Sequence, residues 1–459
     1  MKYRSTRGGV EGISFSDAVM MGLASDGGLI VPESIPDVRS VLSQWSTLSY
    51  PELAAQVMQP FVDDIDPEVF EALVARSYAQ FQHVDTAPLL PVGNVHVLEL
   101  FHGPTLAFKD IALQFLGELF SHILAARGSE LNILGATSGD TGSAAIAGVR
   151  GKPGIRIFIM FPEGRTSPIQ ERQMTTVLDD NVYNLSISGS FDDCQNLLKT
   201  VFSDLDFKER FSLGAVNSVN FARVLAQTVY YFWSWSRLGC PKAFDVTVPT
   251  GNFGNIFAGF LAKKMGLPLR KLVLATNQND ILARFFDSGV YQRGPVGFSN
   301  SPAMDIQVAS NFERYLYYQL GEDSNACRAF MQNFQNDGQA VLVDRSGAFD
   351  WFSAGSVSDQ QTIECLRSTW TESGYLADPH TAVGLHLASQ HVDANIPMVC
   401  LATAHPAKFD SAVAQAVPSV SNSHPTLDRL EGQATRKVEI PGDPEALKAF
   451  IEAACQNAR

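Results

Sequence analysis

A lysine set among apolar residues is the first feature of this sequence that could do chemistry. In FHGPTLAFKDIALQF, residues 101–115, Lys109 follows Leu106, Ala107 and Phe108 and precedes an apolar-periodic run. Most lysines are solvated. One that enters the core loses hydration, its pKa falls, and its neutral amine becomes a Schiff-base nucleophile. Two glycine-rich turns could hold anions. In LNILGATSGDTGSAAIAG, residues 131–148, Thr137, Ser138, Gly139, Asp140 and Thr141 bring hydroxyls and free N–H groups to a helix N-terminus. In DVTVPTGNFGNIFAGF, residues 245–260, Gly251, Asn252, Phe253, Gly254 and Asn255 form a tight backbone loop opening a helix, the geometry that cradles a phosphate. Taken singly, each has a plain structural reading: a surface lysine, a helix cap, a simple turn. The second loop is not a Walker A motif, because no Lys-Ser/Thr follows, and it is not GxGxxG, so a nucleotide is not specifically indicated.

A nucleophilic lysine combined with a backbone phosphate cup is the requirement of pyridoxal 5′-phosphate. A fourth segment, LATAHPAKF at residues 401–409, ends a late strand, where Thr403 could present a hydroxyl to a ring nitrogen. By themselves Thr403, His405 and Lys408 read as a strand end and a helix cap. The nine histidines show no HExxH or other metal-ligand spacing. No metal is expected, and His380 and His405 read as structural or supporting groups.

The elements that must position these residues alternate regularly. Strand-like runs at 94–101, 131–137, 155–160, 182–188, 245–251, 271–276 and 397–403 are interleaved with helical patterns at 110–127, from 140, at 167–177, from 191, at 220–237, at 255–265 and from 280. Short apolar strands alternating with helices predict an α/β fold with more than one parallel-rich sheet flanked by helices. Ligands then bind beyond the carboxyl ends of the strands. Residues before 91 read as a mainly helical module, with runs at 51–60 and 67–82. Residues 289–352 read as a longer irregular insertion, and 443–456 as an amphipathic terminal helix.

The 459 residues suffice for two to four domains. A formal charge of −14, from 34 Lys+Arg against 48 Asp+Glu, disfavours a nucleic-acid partner. No stretch is long and apolar enough to span a bilayer. Glu11 and Asp17 interrupt the run a signal peptide would need. Six scattered cysteines without a CxxC pair suit reduced thiols. A cytoplasmic enzyme without a membrane partner is expected.

Together these segments resemble the threonine synthases, pyridoxal-phosphate enzymes of fold type II, the architecture of tryptophan synthase β. The resemblance is carried by YRSTRG (3–8), ASDGGLIVP (24–32), FHGPTLAFKD, SGDTGSAA, PTGNFGNIFAG, SPAMDIQVASNFER (301–314), DPHTAVG (378–384) and LATAHPAKF, and covers nearly the whole chain. The N-terminal segments and SPAMDIQVASNFER are the most specific, to the longer form with an extra N-terminal domain. The resemblance implies an N-terminal module over 1–91 and a two-domain catalytic region over 92–459, its small domain within about 110–230. It implies that Lys109 carries the cofactor, that the 251–255 loop holds the cofactor phosphate through its amides and Asn252 or Asn255, and that Thr403 meets the pyridine nitrogen. Ser138, Gly139 and Thr141 would take the substrate carboxylate. Asn217, Ser218 and Arg223 of NSVNFAR would take its phosphate, for which an arginine fork is well suited. Asp140 stands where many relatives carry Asn against the cofactor ring hydroxyl. An acid there could serve only if protonated, or if the ring oxygen keeps its proton.

The implied reaction converts O-phospho-L-homoserine and water to L-threonine and phosphate by γ-elimination and β-addition, the last step of threonine biosynthesis. The cofactor-site residues alone do not separate this from a phospholyase ending in 2-oxobutyrate, ammonia and phosphate. A non-catalytic holder of a phosphorylated metabolite is the remaining alternative. The chain is expected to be a monomer or homodimer.

Overall fold

Strands buried at every position must be covered on both faces, and the two longest runs of this kind lie in different sheets. Ile155–Pro162 and Phe244–Pro249 are buried along their whole length. In the computed structural model, which describes residues 1–457, they sit inside two separate sheets. The larger has the order Phe352–Ser356, Leu269–Thr276, Phe244–Pro249, Met398–Ala402, Val95–Glu99, Leu89–Val92. Its neighbours are parallel except for the last pair, an antiparallel hairpin turning at Gly93. The smaller is parallel throughout, in the order Val438–Ile440, Val182–Ile187, Ile155–Pro162, Leu131–Ala136, Leu213–Gly214.

The helix Phe221–Arg237 is buried at every residue but its last, as a helix apolar on most of its circumference must be. Of the helices of the N-terminal module, Tyr50–Met58 packs beside it and Pro67–Tyr78 packs on the helix Lys109–Arg127. Tyr50 meets Trp233 edge-on at 5.4 Å, and Phe70 meets Phe115 at 5.9 Å. The helices Lys109–Arg127 and Asp140–Val149 approach to backbone contact. A Cβ on Gly117 would lie 2.0 Å from the Gly148 carbonyl oxygen, and one on Gly148 would lie 2.4 Å from that of Leu113, so glycine is required at both.

The insertion expected to be irregular is partly regular. It holds the helices Phe312–Gln319 and Ser324–Asp337 and an antiparallel pair, Val290–Gln292 with Gln339–Val341. Its second helix starts on an Asp323 cap and ends on Gly338 at φ +71°. Its polar composition, with only Cys327, Phe330 and Phe334 buried, hid its period. The terminal helix Pro444–Asn457 returns to the smaller sheet, where Leu447 and Ile451 pack with Leu185 and Ile187. Among the described residues no helix is long and apolar enough to cross a membrane, and the six cysteines form no disulfide.

Candidate active site

Four loops at the carboxyl ends of strands converge. Val95–Glu99 leads to the loop before Lys109, Leu131–Ala136 to the 137–141 turn, Phe244–Pro249 to the 251–255 turn, and Met398–Ala402 to Thr403. The Lys109 loop is fastened to the Thr403 loop by backbone: Phe108 N–H donates to the Thr403 carbonyl at 2.8 Å, and His405 N–H to that of Leu106 at 3.1 Å. Leu106, buried and at φ +60°, turns the chain so that Lys109 begins its helix facing inward. Lys109, Ser138, Asp140, Gln170, Ala303 and His380 line the resulting cavity. A larger cavity of about 620 Å³ in the insertion, between Gln319 and Val343, has Asp344 as its one charged lining residue and no nucleophile.

Burial pushes the Lys109 amine down to about 8, with Lys408 and Arg223 acting in the same direction and Asp140 and Asp110 against it. Its nitrogen lies 3.9 Å from Asp140. Burial by itself would raise the Asp140 carboxyl, but Lys408 and Lys109 hold it well below the usual carboxylate range. Lys408 Nζ donates to Asp140 Oδ1 at 2.7 Å, and Gln170 Nε2 donates to the same oxygen at 2.8 Å. Asp140 is therefore held as a carboxylate here, so of the two conditions under which it could serve the cofactor hydroxyl its partners oppose the protonated one. His380 donates from Nδ1 to Asp378 at 2.7 Å and accepts the Ala303 N–H at Nε2, which assigns the neutral Nδ1–H tautomer.

The 251–255 turn is built to meet an anion. Among the described residues the amides of Gly251, Asn252, Phe253, Gly254 and Asn255 donate to nothing. Phe253 adopts φ +65° at the cap of the helix Gly254–Lys264, and stacking on Phe286 at 6.1 Å with edge contact to Phe312 at 5.8 Å holds it there. The Asn252 carbonyl is pinned by the Asn311 N–H at 3.0 Å. Asn255 accepts from Tyr230 and Tyr231 through Oδ1, while its buried Nδ2 has no partner.

A second uncompensated group lies on the helix Phe221–Arg237. Arg223 is buried, donates from one NH to the Val216 carbonyl at 3.0 Å, has an unpartnered Nε, and makes no ion pair among the described residues. Burial lowers its guanidinium to about 10. A buried cation without a counter-charge is costly unless an anion joins it. Ser218 shares a 2.7 Å hydrogen bond with Ser310, and Asn217 is exposed at the mouth of the same loop.

At the 137–141 turn Gly139 cannot offer its N–H to a carboxylate, because it already donates to Thr137 Oγ1 at 3.0 Å. The amides of Ser138, Asp140 and Thr141 donate to nothing among the described residues. Thr403 is buried, with its hydroxyl unbonded there. Sequence reasoning missed Lys408 and Gln170. Lys408 stands between Ala407 and Phe409, the same apolar flanking that singled out Lys109.

An inward-facing lysine of low pKa and an open amide cup, both at the carboxyl ends of parallel strands, are what the pyridoxal-phosphate-dependent class requires. The family described as pyridoxal-phosphate dependent enzyme matches residues 83–403. Threonine synthase N terminus matches 2–78, and threonine synthase, C-terminal matches 381–451. The chain is 46% identical to the threonine synthase of Pseudomonas aeruginosa, over 98% of each chain, and 46% identical to that of Schizosaccharomyces pombe, over 92% of this chain and 90% of the other. The crystal structure of PLP-bound threonine synthase from Brucella melitensis superposes with a TM-score of 0.96 at 44% identity, covering 99% of each chain. The chain belongs to the threonine synthase family. Pyridoxal phosphate is its cofactor, and the five open amides, the orphaned Asn255 Nδ2 and the low-pKa Lys109 fit that group.

Proposed function

We propose that this site converts O-phospho-L-homoserine and water into L-threonine and phosphate, with Lys109 and Arg223 carrying the two main tasks. The observation that carries the reading is a neutral-poised lysine and an uncompensated buried arginine within electrostatic reach of each other. Pyridoxal phosphate, when bound, supplies the carbonyl that takes the substrate amine and the conjugated ring that accepts charge from Cα. Every other task falls to the chain. The amides of 251–255, with Asn252 or Asn255, would hold the cofactor phosphate, and the Thr403 hydroxyl would serve the ring nitrogen. The amides of Ser138, Asp140 and Thr141 orient the substrate carboxylate at a helix N-terminus. Lys109, whose lowered pKa brings its neutral amine within reach near neutral pH, accepts the Cα proton and returns protons along the chain of the substrate. Arg223, with Asn217 and Ser218, holds the substrate phosphate and the charge that develops as it leaves. Water added at Cβ completes threonine.

Six scattered cysteines without a CxxC pair support a reducing compartment, the cytoplasm. Arg223→Ala tests the division of roles. Turnover of phosphohomoserine is expected to fall at least about a hundredfold, with a much smaller loss for a substrate analogue lacking phosphate. Equal losses would remove Arg223 from the phosphate site.

A further inference from the structure

The Lys109 nitrogen shares Asp140 with a second lysine. Lys408, wholly buried at its side chain, donates to Asp140 Oδ1 at 2.7 Å and to the Thr105 carbonyl at 2.9 Å. Lys109 approaches the other oxygen, Oδ2, at 3.9 Å. Gln170 also donates to Oδ1. One carboxylate is thus bonded closely to one ammonium and held loosely toward the other. Thr105 in turn ties its own N–H and hydroxyl to Asp110, so the Lys408 anchor belongs to the loop that delivers Lys109.

We propose that Lys408 is a positioning residue of this active site: by engaging Asp140 it prevents a tight Lys109–Asp140 ion pair and leaves the Lys109 amine only loosely held by its nearest anion. This deepens the reading of Lys109 as the reacting amine and rests on it. The physical argument is one of charge balance. An Asp–Lys pair in a dry site favours the ammonium strongly, since the Coulomb attraction is little screened. A second cation on the same carboxylate opposes that field at Lys109.

The other charged and titratable groups facing Lys109 do not perform this task. Arg223 is cationic but makes no contact with Asp140 among the described residues. Asp110 is raised to about 6, chiefly by burial, and is occupied by Thr105. His380 is committed to Asp378 and the Ala303 amide. His405, three residues before Lys408, is pushed down to about 4 by burial and by His424 and His102, so it carries no charge at neutral pH. Lys408 is the cation placed to balance Asp140.

The test is a spectrophotometric pH titration of the lysine-bound cofactor in the holoenzyme, for wild type, K408M, K408R and D140N. Loss of Lys408 leaves Asp140 to act on the Lys109 nitrogen alone. In K408M the midpoint is expected to move upward by at least about one pH unit. K408R, which retains the charge, is expected to stay near wild type, and D140N to move downward. A K408M midpoint equal to wild type, or K408M and K408R moving alike, overturns the proposal. Were K408M not to load cofactor, D140N decides: an unchanged or raised midpoint overturns it. The titration reads cofactor attached to Lys109 whatever the substrate, so failure to release phosphate from phosphohomoserine would count against the proposed reaction and leave this assignment standing.

Discussion

Burial pulls the Lys109 ammonium toward its neutral form, and this sets a stability cost that can be measured. Its folded pKa of about 8 lies below the ordinary lysine value. For a base shifted down, the stability contribution is fully present above the unfolded pKa, near 10.4, and is lost as pH falls through 8. At pH 7 the buried ammonium therefore opposes folding. Replacing it by Lys109→Met should stabilise the cofactor-free protein by about 3 kcal/mol at pH 7, with the gain vanishing above pH 10. Urea midpoints at the two pH values check this, and equal gains at both would contradict it. Lys109 was legible in the sequence because apolar neighbours on both sides make a solvated lysine implausible. Lys408 has the same flanking and was passed over, because its importance arises from Asp140, far away in sequence and 2.7 Å away in space. The charge of Asp140 was equally illegible, since it depends on that partner.

The close approach of Lys109–Arg127 and Asp140–Val149 sets where Lys109 and Asp140 start their helices. Gly117 and Gly148 make that approach possible, and the atoms a Cβ would strike are backbone, which cannot swing aside. Gly117→Ala should cost about 2–3 kcal/mol and weaken cofactor retention, because parting the helices parts Lys109 from Asp140. Chemical denaturation and the dissociation rate of the cofactor measure both; loss of stability with unchanged retention would show that the spacing does not reach the site. Strands such as Ile155–Pro162 could be read directly, since eight consecutive buried residues leave no ambiguity of face. Val438–Ile440 could not: three residues carry no period, and its partner, Val182–Ile187, is set only by the fold. Phe253 shows a further limit, because a bulky residue at positive φ is stable only inside the aromatic cluster that surrounds it.

The whole chain joins its N-terminal module to the site through buried polar contacts. Arg7 binds Glu313 with two hydrogen bonds, 2.9 and 2.7 Å, and Thr6 donates to the same carboxylate at 2.7 Å. The adjoining Arg314, fully buried, donates to the Ile30 carbonyl at 3.0 Å, to that of Val219 and to Asn311. One side chain thus touches the module, the loop before Arg223 and the residue that pins the 251–255 turn. Arg314→Met leaves three buried acceptors unpaired and should destabilise the protein by about 3 kcal/mol. It should also raise KM for phosphohomoserine more than it lowers kcat, because the phosphate loop loses its brace. A fall in kcat alone would contradict this. The YRSTRG and SNFER segments that carried the family resemblance are the two sides of this contact, which their distance in sequence concealed. The most direct test of the account is a product balance on the purified, cofactor-loaded enzyme given O-phospho-L-homoserine, with phosphate, threonine and 2-oxobutyrate measured in one reaction. The account predicts one threonine for each phosphate released; phosphate matched by 2-oxobutyrate instead would contradict it.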